Sequence, residues 1–208
     1  FFYEWTKLTQ PTEKRIDNYL ENASSKEDTA LDHYVASHLY DALGGSTSKE
    51  NALLKAVAFW RLPEGENFIE SLYEHLHGEE FHDTLNDLVR TKSLIQLQTE
   101  SDSYAVHDIL RHFYYHRIDK RKQMHKLAAD LYAGRMQNQN DLISPLEAAH
   151  HYRKAEFWQE SADSLLPIVY FCTTHGYFWF ELKRQLQRLS DQKLEKETQR
   201  KCWEALGG

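Results

Sequence analysis

The sequence holds little that turns, kinks or cross-links a chain: 8 Gly, 4 Pro and 2 Cys in 208 residues. So few Gly and Pro exclude a loop-rich or collagen-like protein and leave room for long helices. Cys172 and Cys202 stand apart, with no CxxC pair and no even-numbered framework, which points to reduced thiols and a cytoplasmic setting. No apolar run approaches the roughly 18 residues of a membrane-spanning helix, and no signal-peptide pattern opens the chain. There is no GxxxxGK[ST] loop, no nucleophile with a base beside it and no carboxylate pair in an apolar setting, so we expect no catalysis from these residues. The chain opens on Phe1 rather than Met, from which we expect a piece of a longer protein with its main activity upstream.

Apolar residues make up 41% of the chain and aromatics 13%, ample area for a buried core, so most of the chain is expected to fold. The formal net charge of −7 opposes general binding to a phosphate backbone.

Helical spacing organises most of the length. Residues Tyr3 to Tyr19 read as short helical pieces interrupted at Pro11, and Thr29 to Leu43 as a helix stopped by Gly44 and Gly45. Ser48 caps a helix running toward Pro63. Two more amphipathic helices follow, over Asn67 to Leu76 and Glu79 to Thr91. The period then shortens to two: Leu94 to Gln98 and Ser103 to Val106, joined by a polar turn, predict a β-hairpin. Three helices and then a hairpin is the order of a winged helix. A helix from Asp108 to Ile118 and another from Lys120 to Arg135 come next, then a polar linker. Beyond it, two helices meet at Ala155-Glu156 as a helical hairpin, and His175 to Leu189 with Lys193 to Leu206 predict a second. The expected fold is therefore mainly α, a winged-helix domain with one β-hairpin followed by helical-hairpin, tetratricopeptide-like repeats. The divisions are an N-terminal segment at 1–47, the winged helix with its following helix at 48–136, and the repeat tail at 142–208.

The string YAVHDILRHFYYHRI resembles the winged-helix segment of NB-ARC and NACHT-type signal-transduction ATPases, the STAND class, in which a Met-His-Asp-type motif ends the wing strand and opens a helix. Val106-His107-Asp108 stands at that place, with Val for the family's Met. LLKAVAFWRLP and LNDLVRTKSLIQLQ are similar to the family's first winged-helix helix and to its third helix entering the wing. MHKLAADLYAG and LEAAHHYRKAEFWQESADSLL resemble the linker and tetratricopeptide-like sensor repeats of many members, without the early Trp and Gly of the full repeat consensus. The resemblance implies that His107 contacts the β-phosphate of ADP in the closed, inactive state and that Asp108 positions the helix start. ADP or ATP would be held by a nucleotide-binding domain elsewhere in the parent chain, with protein partners on the tail and oligomers of the parent. A strand-to-helix junction suits phosphate, because backbone N–H groups and the positive end of the helix dipole face outward there. The plainer reading makes Asp108 an ordinary N-cap and His107 a strand-end residue bonded to nearby backbone.

A winged helix also invites a nucleic-acid reading. The helix 79–92 is too acidic to enter a groove, with Glu79, Glu80, Asp83 and Asp87 against Arg90 and Lys92. The basic helix 111–126, with Arg111, Arg117, Lys120 and Arg121 among Tyr114 and Tyr115, suits a single strand better. It equally suits a solvated face paired with acidic neighbours. Twelve His raise the question of metal, but His112 and His116 come without an HExxH-type carboxylate, and His150 and His151 point to different sides of a helix. Phe157, Trp158, Tyr177 and Trp179 are the tail's candidate contacts with protein partners. Stacked hairpins could instead bury them against one another.

Overall fold

A computed structural model describes residues 28–78, 80–135, 141–176 and 178–207. The helical pieces expected over Tyr3 to Tyr19 lie outside the described residues, as do Glu79, Tyr177 and most of the polar linker after Arg135. The described chain is mainly helical with one antiparallel hairpin, and its contacts divide it between Asp119 and Lys120 into two units.

In the first unit, α1 (Asp28–Ala42) ends where Gly44 and Gly45 take φ of 95° and 70°, values that cost a side chain dearly and glycine nothing. Ser48 then opens α2 (Lys49–Phe59), its Oγ accepting from the Asn51 N–H at 3.2 Å. Every residue from Asn51 to Trp60 is buried, as the near-continuous apolar string ALLKAVAFW requires of a helix covered on all sides. Around it pack α3 (Glu66–Leu76), α4 (Phe81–Asn86, continued by a π-helical turn over Asp87–Thr91), the hairpin, and α5 (Asp108–Tyr115).

The strands β1 (Ile95–Gln98) and β2 (Ser103–Val106) pair Ile95 with Val106 and Gln98 with Ser103. Only Ile95 of β1 is buried; Leu97, expected inside from the alternation, is exposed because the helical core lies under β2 and the start of β1. Glu64, between α2 and α3, pairs with the other edge of β2: the Tyr104 N–H donates to its carbonyl at 2.8 Å and its N–H donates back at 3.3 Å.

One buried polar network ties three helices of this unit. The Tyr114 hydroxyl donates to Asn51 Oδ1 at 2.7 Å, while Asn51 Nδ2 donates to the Tyr40 and Gly45 carbonyls at 2.8 Å each. Burial pushes the Tyr114 phenol far above its ordinary range, so it remains a donor at any ordinary pH.

The second unit is a run of short helices: α6 (Arg121–Arg135), α7 (Ile143–Lys154), α8 (Trp158–Leu165), α9 (Val169–His175), α10 (Trp179–Ser190) and α11 (Lys196–Ala205). α6 packs along α7 and α7 along α8, so the helix expected with the preceding domain makes its contacts in this unit. The predicted turn at Ala155-Glu156 is present, with Glu156 at a φ of 69°. The second predicted hairpin differs from expectation: His175 ends α9 instead of starting α10, because Gly176 breaks the helix at a φ of 74°. The core gathers Leu146, Leu165, Leu182, Leu186 and Leu189 with Cys172 and Cys202, both free thiols that burial pushes upward. Among the described residues no helix is long and apolar enough to cross a membrane.

Candidate functional site

The strand-to-helix junction is built by β2 ending at Val106, buried in the core, and α5 beginning two residues later. Between them His107 is the N-cap, at φ −58° and ψ 144°, and it is exposed. Its Nδ1 accepts from the Ile109 N–H at 3.4 Å, an arrangement that leaves Nε2 to carry the proton of the neutral ring. Asp108 is therefore the first residue of the helix and not its cap, as the plainer sequence reading had it. Its side chain is 90% exposed, 3.6 Å from Arg111 Nη1. The junction thus presents an exposed imidazole at the N-terminal end of a helix, the end whose dipole favours an anion.

The basic stretch 111–126 is not one helix. α5 stops at Tyr115 and α6 starts at Arg121, in different units. Arg111 points back, donating to the Arg61 carbonyl at 3.3 Å. Arg117 lies on the Phe113 ring, 3.4 Å from its centroid, and within 5.5 Å of the Tyr40 centroid. Aromatic stacking at the i, i+4 spacing of Phe113 and Arg117 could have been seen in the sequence. Lys120 and Arg121 are exposed. Farther along α6, Lys122 pairs with Glu156 at 2.6 Å, and Lys126 pairs with Asp130, which also accepts from the Tyr152 hydroxyl. Lys122 and Lys126 thus meet acidic partners at the surface of the same unit, as on a solvated face with acidic neighbours.

In the tail, Trp158 and Trp179 are half-buried against the core, and Phe157 is exposed at the head of α8 with Lys126 Nζ 5.3 Å from its ring. Tyr177 lies outside the described residues. Greater exposure falls on Tyr170 at 78% and Phe180 at 88%, with Trp203 of α11 at 49%. Tyr170 and Val169 face Lys201 and Glu204 across an open groove of about 420 Å³. Trp203 gave no sequence signal, because α11 reads as a charged helix throughout. His112 and His116 are exposed with ring centroids 4.5 Å apart, and no group of three metal-ligating side chains occurs among the described residues.

The structure also brings together three buried histidines between α6 and α7, of which the sequence singles out only the adjacent pair His150 and His151. His125 Nδ1 and His151 Nδ1 are 2.8 Å apart, with His150 beside them.

Comparison with protein families and with curated proteins finds no match. Among solved structures, the chain is similar to the crystal structure of a signal-transduction ATPase with numerous domains (STAND) that carries a tetratricopeptide repeat sensor, from Pyrococcus horikoshii. The TM-score is 0.52 at 16% identity, over 95% of this chain. The chain spans 30% of the length of that protein. A likeness at that identity is one of fold.

Proposed function

We propose that this chain is a regulatory and sensing part of a STAND-type ATPase, a winged helix followed by a tetratricopeptide-like tail, with no catalysis of its own and a cytoplasmic site of action. The observation that carries this reading is the junction: β2 runs straight into α5, and His107 sits at the surface on the N-cap with the first-turn N–H groups beside it. Two further observations support it. The order helix, single pairing residue, helix, helix, hairpin, with Glu64 bonded to the last strand, is compatible with a winged helix and supports that part of the reading. The fold also extends along nearly the whole chain in a protein whose name states both the ATPase class and the repeat sensor.

In this reading His107 donates from Nε2 to a phosphate oxygen of ADP that another domain of the parent chain holds. Asp108, acidic in the first turn, complements the helix dipole and keeps Arg111 in place. The tail receives a protein signal through its exposed aromatics. This reading leaves nucleic acid aside, since Arg111 and Arg117, two of the cations that the alternative relied on, are engaged within the first unit.

The test uses the intact parent protein. His107→Ala and Asp108→Val should each release bound ADP faster and raise basal signalling, the histidine change by about tenfold if one charge-assisted hydrogen bond is lost. Unaltered ADP retention and basal output in both variants would overturn the reading.

A further inference from the structure

α7 has the sequence ISPLEAAHHYRK, and every residue from Ser144 to Tyr152 is buried. A helix closed in on all sides normally carries apolar side chains; this one carries two adjacent histidines, and the facing helix α6 adds a third. His151 is fully buried, His125 is 3% exposed and His150 9%. The His151 ring also stacks on Tyr132 of α6, centroids 5.8 Å apart with planes at 20°.

A nitrogen-to-nitrogen contact of 2.8 Å between His125 Nδ1 and His151 Nδ1 requires one N–H and one lone pair. Two neutral rings supply that with opposite tautomers. A first added proton can sit on the far nitrogen of the donor ring without breaking the contact, but it places a charge inside the helix pair. A second sets N–H against N–H, and the rings must part.

The surroundings oppose a proton on His125. Arg121 on α6, and Arg153 and Lys154 on α7, act on His125, and Arg153 Nη2 lies 3.4 Å from His150 Nδ1. Glu147, buried one turn before His151, is the acidic group on the same stretch of α7. The other helices against α7 are α8 and α10, which meet it through Ser161 and Gln185. Glu160 of α8 acts on Tyr152, and Glu181 of α10 accepts from Gln185. Burial first, and then the three cations, push the His125 ring down to about 4.

We propose that the His125–His151 contact is a proton-operated latch: neutral rings hold α6 against α7, and protonated rings let the first helical pair of the tail open. The direction follows from linkage. The folded value of His125 lies below the ordinary histidine value of about 6.5, so its contribution to stability is complete above that pH. It is lost as pH falls toward 4, by about tenfold in the opening equilibrium per pH unit.

Amide hydrogen exchange on the full chain at pH about 7, 6 and 5, corrected for intrinsic rates, tests this. Protection of α6 and α7 should fall relative to α2 and α5 by about tenfold per unit below pH 6, and His125→Gln should remove most of that fall. Should that variant fail to fold, ring NMR titration of the unaltered chain decides: His125 should remain neutral at pH about 5, where an imidazole of the ordinary value of about 6.5 is charged. The latch is overturned if protection of α6 and α7 is independent of pH down to about 4. It is equally overturned if protection falls alike in both units, if His125→Gln keeps the full dependence, or if His125 titrates near 6.5 with α6 and α7 still protected.

Discussion

The two units solve the same problem, a polar group inside a helical core, with different chemistry. In the first, Asn51 and Tyr114 bind each other and two carbonyls through groups that do not titrate in any ordinary range. In the second, the groups between α6 and α7 are imidazoles, whose hydrogen-bonding pattern depends on proton count. A buried hydrogen bond between non-titrating groups fixes geometry at all pH values, whereas one between histidines loses its donor and acceptor match once both rings are protonated. The first unit carries the proposed phosphate-facing junction, which needs a constant shape, and the second carries the repeats that are proposed to respond.

The comparison breaks most visibly if the first unit loses its network. Asn51→Leu removes the buried acceptor of Tyr114 and the donors to two part-buried carbonyls, and should cost about 2 to 4 kcal/mol in denaturant unfolding of that unit. That loss should be the same at pH about 7 and 5, the contrast with His125 that sharpens the argument. Ser161→Ala, which removes a 2.8 Å bond from Ser161 Oγ to the Ala149 carbonyl, should cost about 1 kcal/mol in the second unit. Smallest is Lys122→Ala: the Lys122–Glu156 pair is well exposed, and its loss should change stability by less than about 0.5 kcal/mol, less still at high salt.

Legibility in the sequence followed the strength of the local signal. Ser48 at the head of α2, the glycine pair after α1 and the hairpin strands were readable because capping, left-handed turns and period-two alternation act within a few residues. α9 was not. Val169–His175 follows Pro167 as an apolar and aromatic run too short for periodicity to distinguish from a strand or a loop. At the candidate site, the position of His107 between strand and helix was legible, but the cap was assigned to Asp108 because carboxylates outrank imidazoles at that place. The inward turn of Arg111 depends on the Arg61 carbonyl, fifty residues away in sequence. The sequence places His150 and His151 on different sides of a helix, because adjacent positions diverge, and carries no sign that both are enclosed. Both are buried because α6 and α8 cover α7 from two sides, a consequence of packing that the Ala148-Ala149 pair alone hinted at.

The pairing of Glu64 with Tyr104 makes β2 an inner strand, hydrogen-bonded on both edges. Among the described residues, the edge left for an extended peptide to lengthen the sheet is therefore the outer rim of β1, where Leu97 stands exposed. Recruitment by strand addition would proceed at the hairpin's far side while His107, at the end of β2, kept its position.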